Sequence, residues 1–345
     1  MSDVYIFFVL LLLIVLINFF FKKNFFLCSL TGDSHQKFTN VENVPLTGGI
    51  FLYLALFFFL FKELNNFQIF IFLIFLIGLL SDLNFIKSPE KRFLFQFFIV
   101  FFSIYFNNLT INNTGVDLLD YFLDINFFNY FFVTFCVLII VNGTNFLDGL
   151  NTLVTGYFLI ILFILIKLDF SNFLGIESNK MYLISLFLGF IFFSNLLNKM
   201  FLGDSGSYLL GFIVSIFLVT IYSKYNYISS FFIVLLLWYP SFENLFSLIR
   251  KISKKKSPLA PDKNHLHQLL FYFIRKKNKY SLAFINGITA QVINVYNLLI
   301  FLVASNFIYS SQVQILLIIF NIIVYVFLYT KLFNFKYEKY LKRFN

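Results

Sequence analysis

Long apolar runs alternate with short polar segments along the whole chain. Most runs hold about 15 to 20 residues, close to the ~20 that a helix needs to cross a lipid bilayer. The pattern predicts about eleven membrane-spanning helices, approximately at residues 4–21, 47–61, 67–80, 93–106, 128–141, 153–167, 181–197, 208–223, 228–249, 282–304 and 312–330. Of the 345 residues, 60% are hydrophobic and only 12% are charged. We therefore predict an all-α polytopic membrane protein, with residues 1–345 forming a single integral membrane domain.

The basic residues favour one orientation of this helical chain. If the C-terminus is cytoplasmic, 22 of the 26 Lys and Arg residues lie in segments on the cytoplasmic side. The outer segment 107–127 then has no basic residue. Because basic residues are enriched in cytoplasmic loops, we predict an outer N-terminus and an inner C-terminus. Residues 250–280 become a basic cytoplasmic loop, and residues 331–345 become a basic cytoplasmic tail.

Polar residues gather where the predicted helix 128–141 ends. Asn142, Asn145 and Asp148 recur at every third position. If the helix continues through them, they point into one narrow sector, which could hold one polar ligand. The alternative is that the amides only end the helix at the water interface.

Two further carboxylates lie next to apolar runs. Asp82 follows one such run, where an unpaired charge is costly, so it is either functional or paired with Lys87, Lys91 or Arg92. Asp204 lies among Gly and Ser at a predicted helix start. Helix N-terminal amides favour anions, and an acid there would repel a phosphate. Asp204 is therefore either the helix cap or a ligand of Mg²⁺ that bridges it to phosphate.

Basic and histidine side chains supply candidate phosphate contacts. His265 and His267 lie two residues apart, too close to share one helical face, and we expect a loop that presents them to phosphate oxygens. A zinc site is disfavoured because no third ligand is suitably spaced. In the first inner loop, Lys37 could also reach a phosphate, and the pair Gly48 and Gly49 allows close approach of a ligand or another helix.

All these clusters fall on the cytoplasmic face of the predicted topology. Separated acids, amides and basic groups at the lipid boundary suit phosphoryl transfer from a water-soluble donor to a lipid acceptor. A secondary transporter is the main rival, because a broken helix around Pro240 near Glu243 would fit one. A CDP-alcohol phosphotransferase would require a different motif after Asp148, and a purely structural scaffold would leave the clusters unexplained.

Four segments also resemble the ordered motifs of a known family. They are Pro45 to Gly49, Asn142-Gly-Thr-Asn-Phe-Leu-Asp148-Gly-Leu-Asn151, Leu202-Gly-Asp204-Ser-Gly-Ser207 and Pro261-Asp-Lys-Asn-His265-Leu-His267. The family is that of the polyprenyl-phosphate N-acetylhexosamine-1-phosphate transferases, in the glycosyltransferase family 4 superfamily. The superfamily includes phospho-N-acetylmuramoyl-pentapeptide transferase, which remains an alternative, although the His-Leu-His-Gln form is more similar to the O-antigen and capsule branch.

The resemblance implies roles for individual residues. It makes Asp204 the metal ligand, with Asp82, Asp148, Asp204 and His265 catalytic. It makes substrate contacts of Asn142, Asn145, Asp148, His265 and His267. Lys37 is a further candidate contact, and the spacing to Gly48 leaves open whether Lys37 or His35 matches the family's basic residue. The chain departs from the family in having Ser81-Asp82 for an Asp-Asp pair, Asn151 for a second acid and Thr152 for a usual glycine.

The resemblance also implies a reaction and its partners. A UDP-N-acetylhexosamine would donate its sugar 1-phosphate to undecaprenyl phosphate, releasing UMP, with Mg²⁺ or a substituting Mn²⁺ as cofactor. This would begin a lipid-linked cell-envelope glycan. We expect a bacterial inner-membrane enzyme with a cytoplasmic active site, surrounded by membrane lipids and without a nucleic-acid partner. A homodimer is left open.

Overall fold

The computed structural model describes residues 2–24, 26–28, 38, 41, 43–225, 227–255, 257, 262 and 264–341. These residues form one short 3₁₀ helix, Asn65–Phe67, and the α-helices α1 Ser2–Lys23, α2 Gly48–Leu60, α3 Gln68–Asp82, α4 Pro89–Phe106, α5 Asp117–Leu123, α6 Asn126–Leu147, α7 Leu153–Lys167, α8 Phe170–Leu174, α9 Ser178–Leu196, α10 Gly203–Lys224, α11 Ser230–Leu236, α12 Trp238–Ser253, α13 Leu266–Lys277, α14 Leu282–Ala304 and α15 Ser311–Leu341. Within these ranges no β-strand occurs beyond an isolated bridge between Cys28 and Pro45.

The all-helical, multi-pass membrane class predicted from sequence is confirmed. Across the described residues, seven helices are long and apolar enough to cross a membrane, and α11 with α12 adds an eighth as a pair bent by 75°. Three other predicted spans miss these criteria. The helices α2 and α7 have only 13 and 15 residues, and α4 begins with the charged residues Glu90, Lys91 and Arg92. The count of eleven therefore stays a prediction.

The helix α10 forms the centre of the bundle. Of its most apolar 18-residue window, 94% is buried, more than in any other of the candidate spans described. It packs mainly against α3, α6 and α2. Its small residues, such as Gly206 and Gly211, let neighbouring helices approach it closely, which suits this central position. Residues placed at its first turn are thus held by several neighbouring helices.

Glycines bring α2 and α3 against the first turn of α10. The Gly48 and Gly49 amides donate hydrogen bonds to the Phe201 and Leu202 carbonyls, at 3.0 and 3.1 Å. A Cβ atom on Gly78 would lie 2.6 Å from the Ser205 backbone nitrogen, so only glycine fits there. The expected close approach at the Gly48–Gly49 pair is confirmed, and the partner is another helix. Three segments therefore converge where Asp204 lies.

Three segments differ from the sequence-based expectation. The predicted span 228–249 breaks at Leu237, between α11 and α12. Residues 250–280, expected as a loop, contain the end of α12 and the whole of α13. The helix α15 continues to Leu341, so most of the predicted tail is helical. The tyrosine-rich and charged end of α15 has packing partners beyond the apolar span, chiefly α13, and these stabilise the longer helix.

Candidate active site

The carboxylate of Asp82 caps the start of α10 from the end of α3. Its Oδ1 accepts the Asp204 amide at 2.8 Å, and its Oδ2 accepts the Ser205 amide at 3.0 Å and the Ser205 hydroxyl at 2.7 Å. An acid is favoured at this position because the first amides of a helix lack partners within the helix. The sequence-based alternative of a salt bridge from Asp82 is wrong, since Arg92 pairs with Asp204 instead.

Asp204 lies in the first turn of α10 and is not its N-cap, a position that Leu202 occupies. Its Oδ2 accepts hydrogen bonds from Ser81 Oγ and Arg92 Nη1, both at 2.6 Å. The Tyr208 hydroxyl lies 3.5 Å from the same oxygen. No donor among the described residues reaches Oδ1. The serine that replaces the family's first aspartate therefore donates to Asp204, where a second carboxylate would repel it.

Asp148 joins these two acids from the end of α6. It lies within reach of the Gly203 amide, and a Cβ atom on Gly203 would approach Asp82 Oδ2 to 2.7 Å. Burial raises the pKa of Asp148 well above its ordinary range, and the nearby carboxylates of Asp204 and Asp82 raise it further. Three carboxylates from distant parts of the sequence thus crowd around one helix start.

The two predicted amides have different surroundings. Asn145 donates to the Tyr208 hydroxyl at 3.3 Å and accepts from Ser207 Oγ at 3.1 Å, so it joins the Asp204 group. Asn142 donates to the Leu138 carbonyl of its own helix at 2.9 Å. The helix α6 does continue through both residues, as predicted, and ends at Asp148. The structure brings Asn145 and Asp148 to the acids but leaves Asn142 one turn away.

The histidines flank this group from α13. His265 is the N-cap of α13 and His267 is in its first turn, so the expected loop is wrong for His267. Because His265 has an extended backbone conformation, the two rings stack with centroids 5.5 Å apart. A Cβ atom on Gly149 would lie 3.4 Å from His267 Nε2. Both rings therefore lie beside the segment that carries Asp148.

A buried glutamate holds His265. Glu243, fully buried in α12, lies with Oε1 2.9 Å from His265 Nδ1, and its oxygens also accept the Leu266 amide at 3.3 and 3.4 Å. A carboxylate on Nδ1 fixes the ring orientation and directs Nε2 away from it. From the sequence, Glu243 was predicted only as a residue that a transporter would use. Its position after the break near Pro240 was the available signal.

Two polar contacts hold the segment before α13. Arg250 donates from Nε to Asp262 Oδ2 at 3.0 Å. Partial burial raises the pKa of Asp262, but the Arg250 hydrogen bond and charge lower it to about 2, so the pair is ionised at neutral pH. Lys336 and Tyr337 of α15 both donate to Asn264 Oδ1 at 2.9 Å. The end of α15 therefore supports the histidine segment.

The residues present fit a magnesium ion that is shared with a substrate. Among the described residues, no group of three or more His, Cys, Asp or Glu side chains could hold a metal alone. Mg²⁺ commonly binds through one or two carboxylates plus substrate phosphates. Asp204 offers Oδ1, and the carboxyl groups of Asp82 and Asp148 lie close to it. The predicted Lys37 lies outside the described residues.

Several of the polar residues named from sequence lie together at one end of the bundle in the part of the chain that the structure describes. Asp82, Asp148 and Asp204 surround the start of α10, and His267 lies beside Gly149. The opposite end holds different contacts, such as the Glu63–Lys180 ion pair. The geometry is therefore that of a multi-pass membrane protein with an acidic, histidine-flanked site at one end of its helical bundle.

Comparison with known proteins places this site in a family. The profile of glycosyl transferase family 4 matches residues 64–222, which contain Asp82, Asp148 and Asp204. An undecaprenyl-phosphate alpha-N-acetylglucosaminyl 1-phosphate transferase of Thermotoga maritima is 31% identical over 237 residues, 69% of this chain and 70% of the relative. The chain belongs to glycosyl transferase family 4, as its motifs predicted.

Other relatives carry similar names. A probable undecaprenyl-phosphate N-acetylglucosaminyl 1-phosphate transferase of Bacillus subtilis is 30% identical over 206 residues, 59% of this chain and 56% of the relative. The corresponding transferase of Escherichia coli K12 is 27% identical over 202 residues, 56% of this chain and 54% of the relative. The matched region thus spans little more than half of these two relatives.

Proposed function

We propose that this protein transfers an N-acetylhexosamine 1-phosphate from a UDP-sugar to undecaprenyl phosphate. One observation carries the proposal beyond family membership. Three carboxylates, from α3, α6 and α10, converge at a single bundle end beside two stacked histidines. A diphosphate donor needs groups that position it and neutralise its charge, and a lipid acceptor needs them at the membrane boundary.

The bond changes follow from these substrates. An oxygen of the lipid phosphate attacks the sugar-linked phosphorus of the donor, and the bond from that phosphorus to the UMP oxygen breaks. The lipid phosphate is already ionised at neutral pH, so it requires no strong base. The products are a lipid diphosphate sugar and UMP. We assign the cytoplasmic side to this site because the basic residues favour that orientation.

The site residues divide into three roles in this proposal. Asp204 would hold Mg²⁺, which supplies neutralisation of the donor diphosphate when bound, and Asp148 lies close beside it. His265 and His267 lie where they can contact the same phosphates, with Asn145 bonded to the Asp204 group. The contacts of Asp82 favour positioning of Asp204, because both its oxygens are bonded to the first turn of α10.

The broken helix that carries Glu243 gives little support to a transporter. A transporter would place ionisable groups near the bilayer midplane in broken helices. Glu243 does lie beyond the break between α11 and α12, but its carboxylate is bonded to His265 and the Leu266 amide at the start of α13. The peptidoglycan branch also has less support, since the relatives are named for N-acetylglucosamine.

The direct test is an assay of membranes that contain the protein. Undecaprenyl phosphate is incubated with UDP-N-acetylglucosamine or UDP-N-acetylgalactosamine, labelled in the sugar, and the lipids are extracted. We expect labelled lipid from one donor, release of UMP rather than UDP, and reversal when UMP is added. Membranes carrying Asp204→Asn are the control. Release of UDP, or no labelled lipid with any UDP-N-acetylhexosamine, would refute the proposed reaction.

A further inference from the structure

The segment that joins α6 to α7 is held by amide side chains from two other helices. It runs from Asp148 to Thr152 and contacts Asn195 of α9 and three residues of α14, here called the amide clamp. The hydrogen bonds are Asn151 N to Asn286 Oδ1 at 2.8 Å, Thr152 N to Asn195 Oδ1 at 3.1 Å, Asn294 Nδ2 to the Thr152 carbonyl at 3.1 Å and Gln291 Nε2 to Thr152 Oγ1 at 2.8 Å.

The clamp acts on a residue in an unfavourable conformation. Thr152 has φ +67°, in the left-handed region that favours glycine, and it is 2% exposed. A β-branched residue with positive φ is an outlier, and such residues persist when their surroundings impose them. Three clamp residues bond the Thr152 amide, carbonyl and hydroxyl. The clamp therefore holds the backbone and the side chain of Thr152 in this conformation.

A glycine in α7 makes room for one clamp residue. A Cβ atom on Gly156 would lie 3.0 Å from Asn294 Cγ and closer still to Asn294 Nδ2. The amide of Asn294 could not reach the Thr152 carbonyl past a larger side chain. Glycine is otherwise unfavourable inside a helix, so packing of the Asn294 amide gives this one a physical reason.

We propose that the amide clamp of Asn195, Asn286, Gln291 and Asn294 is a positioning device that places Asp148 for reaction. The inference rests on the proposed function. Asp148 is only four residues from Thr152, and a cleft beside it is lined by Asp148, Gly149, Asn151, Asn195 and Phe201. Neutral amides suit this task, because they fix the backbone without adding charge to a site that already holds three carboxylates.

The first test compares two glycine substitutions. Gly156→Ala should displace Asn294, whereas Gly189→Ala in α9 meets nothing within 4 Å and serves as the matched control. Alanine favours the helix at both positions. We expect Gly156→Ala to fold with a modestly lower melting temperature, since the methyl group also meets Phe192, but to lower kcat by on the order of a hundredfold, as a small misplacement of a reacting group can. The Gly189→Ala enzyme should keep wild-type kcat.

The second test removes one clamp residue in two backgrounds, one with Thr152 and one with glycine at that position. Asn195→Ala should lower kcat about tenfold or more in the Thr152 enzyme. In a Thr152→Gly background the same substitution should cost clearly less, because glycine adopts this φ without steric conflict. Rescue of this kind would not follow from a general loss of packing. If Gly156→Ala fails to fold, the comparison of Asn195→Ala in these two backgrounds still tests whether the clamp positions Asp148.

The outcomes separate the two proposals. Absence of labelled lipid from the wild-type enzyme refutes the proposed reaction. An active wild-type enzyme, together with a Gly156→Ala enzyme as active as Gly189→Ala, overturns the clamp alone. Equal losses from Asn195→Ala in both backgrounds also overturn it.

Discussion

Two aspartates of similar sequence context have different surroundings at the residue scale. Both oxygens of Asp82 are bonded to amide and hydroxyl donors of α10. Asp204 receives Ser81 and Arg92 on one oxygen only. A helix-capping carboxylate contributes about 0.5–2 kcal/mol of stability. Asp82 is therefore expected to matter for the fold as well as for activity, and Asp204 mainly for activity.

The paired substitutions Asp204→Asn and Asp82→Asn test this difference. Asp204→Asn should lower the melting temperature only slightly, since the asparagine oxygen can still accept from Ser81 and Arg92 and the amides of α10 remain bonded to Asp82, yet it should lose turnover at every Mg²⁺ concentration. Asp82→Asn should lower both the melting temperature and turnover, because a neutral amide holds the start of α10 less well than a carboxylate does. Activity and thermal unfolding of the detergent-purified proteins measure the two effects.

Metal removal provides the control for the Asp204 result. Wild-type activity should vanish with EDTA and return with Mg²⁺ or Mn²⁺, both of which prefer oxygen ligands. Normal turnover of Asp204→Asn with an unchanged Mg²⁺ dependence would assign the metal elsewhere, with Asp148 the next candidate.

At the scale of elements, the site depends on how closely α3 approaches α10. Gly78 of α3 lies against Ser205, and Gly206 of α10 against Gly49 of α2. Small residues let membrane helices meet backbone to backbone, where van der Waals contact replaces the hydrophobic effect as the attraction. The same contact carries the Asp82 carboxylate to the first turn of α10. Gly78 therefore serves both the packing of α3 on α10 and the placement of Asp82.

Gly78→Ala should separate these two helices. The added methyl group would meet the Ser205 backbone, which cannot move aside as a flexible side chain could. We expect a destabilisation of about 1–3 kcal/mol, typical of overpacking, and a large loss of activity as Asp82 leaves the α10 amides. Thermal unfolding and the lipid-labelling assay measure both, with Gly189→Ala as the control. A Gly78→Ala enzyme with wild-type stability would show that the contact is not tight.

At the scale of the whole molecule, the two ends of the bundle differ in chemistry. One end holds the acids, the histidines and the basic segments around α13. The other holds the loop between α4 and α6, which has no basic residue. Such asymmetry is typical of a membrane protein whose basic end faces the cytoplasm. The site would then open toward the compartment that supplies nucleotide sugars.

Single cysteines test this orientation. In a Cys28→Ser, Cys136→Ser background, Lys87→Cys and Ser257→Cys should resist a membrane-impermeant thiol reagent in intact cells, and Asn112→Cys should react. All three should react after the membrane is opened. Labelling of Lys87→Cys or Ser257→Cys in intact cells would place the site on the outer face and contradict the proposed orientation.

The sequence by itself determined the helical membrane class, because the length and polarity of an apolar run are local properties. It also identified most of the site, since an acid beside an apolar run is costly unless it has a task. Asp82 was named in this way, Asp148 from its spacing to two amides, Asp204 from its place among Gly and Ser at a helix start, and His265 from its closeness to His267. Helix breaks were harder to place, as at Leu237, because neighbouring helices decide where a bend is tolerated.

Only the tertiary structure decided which groups act on each other. The Asp82 carboxylate meets the Asp204 amide across 122 positions, and Glu243 meets His265 across 22. Hydrogen bonds and ion pairs depend on separation in space, and no local pattern states which helices will be neighbours. For the same reason the left-handed Thr152 and the amides that hold it became visible only once α7, α9 and α14 were packed together.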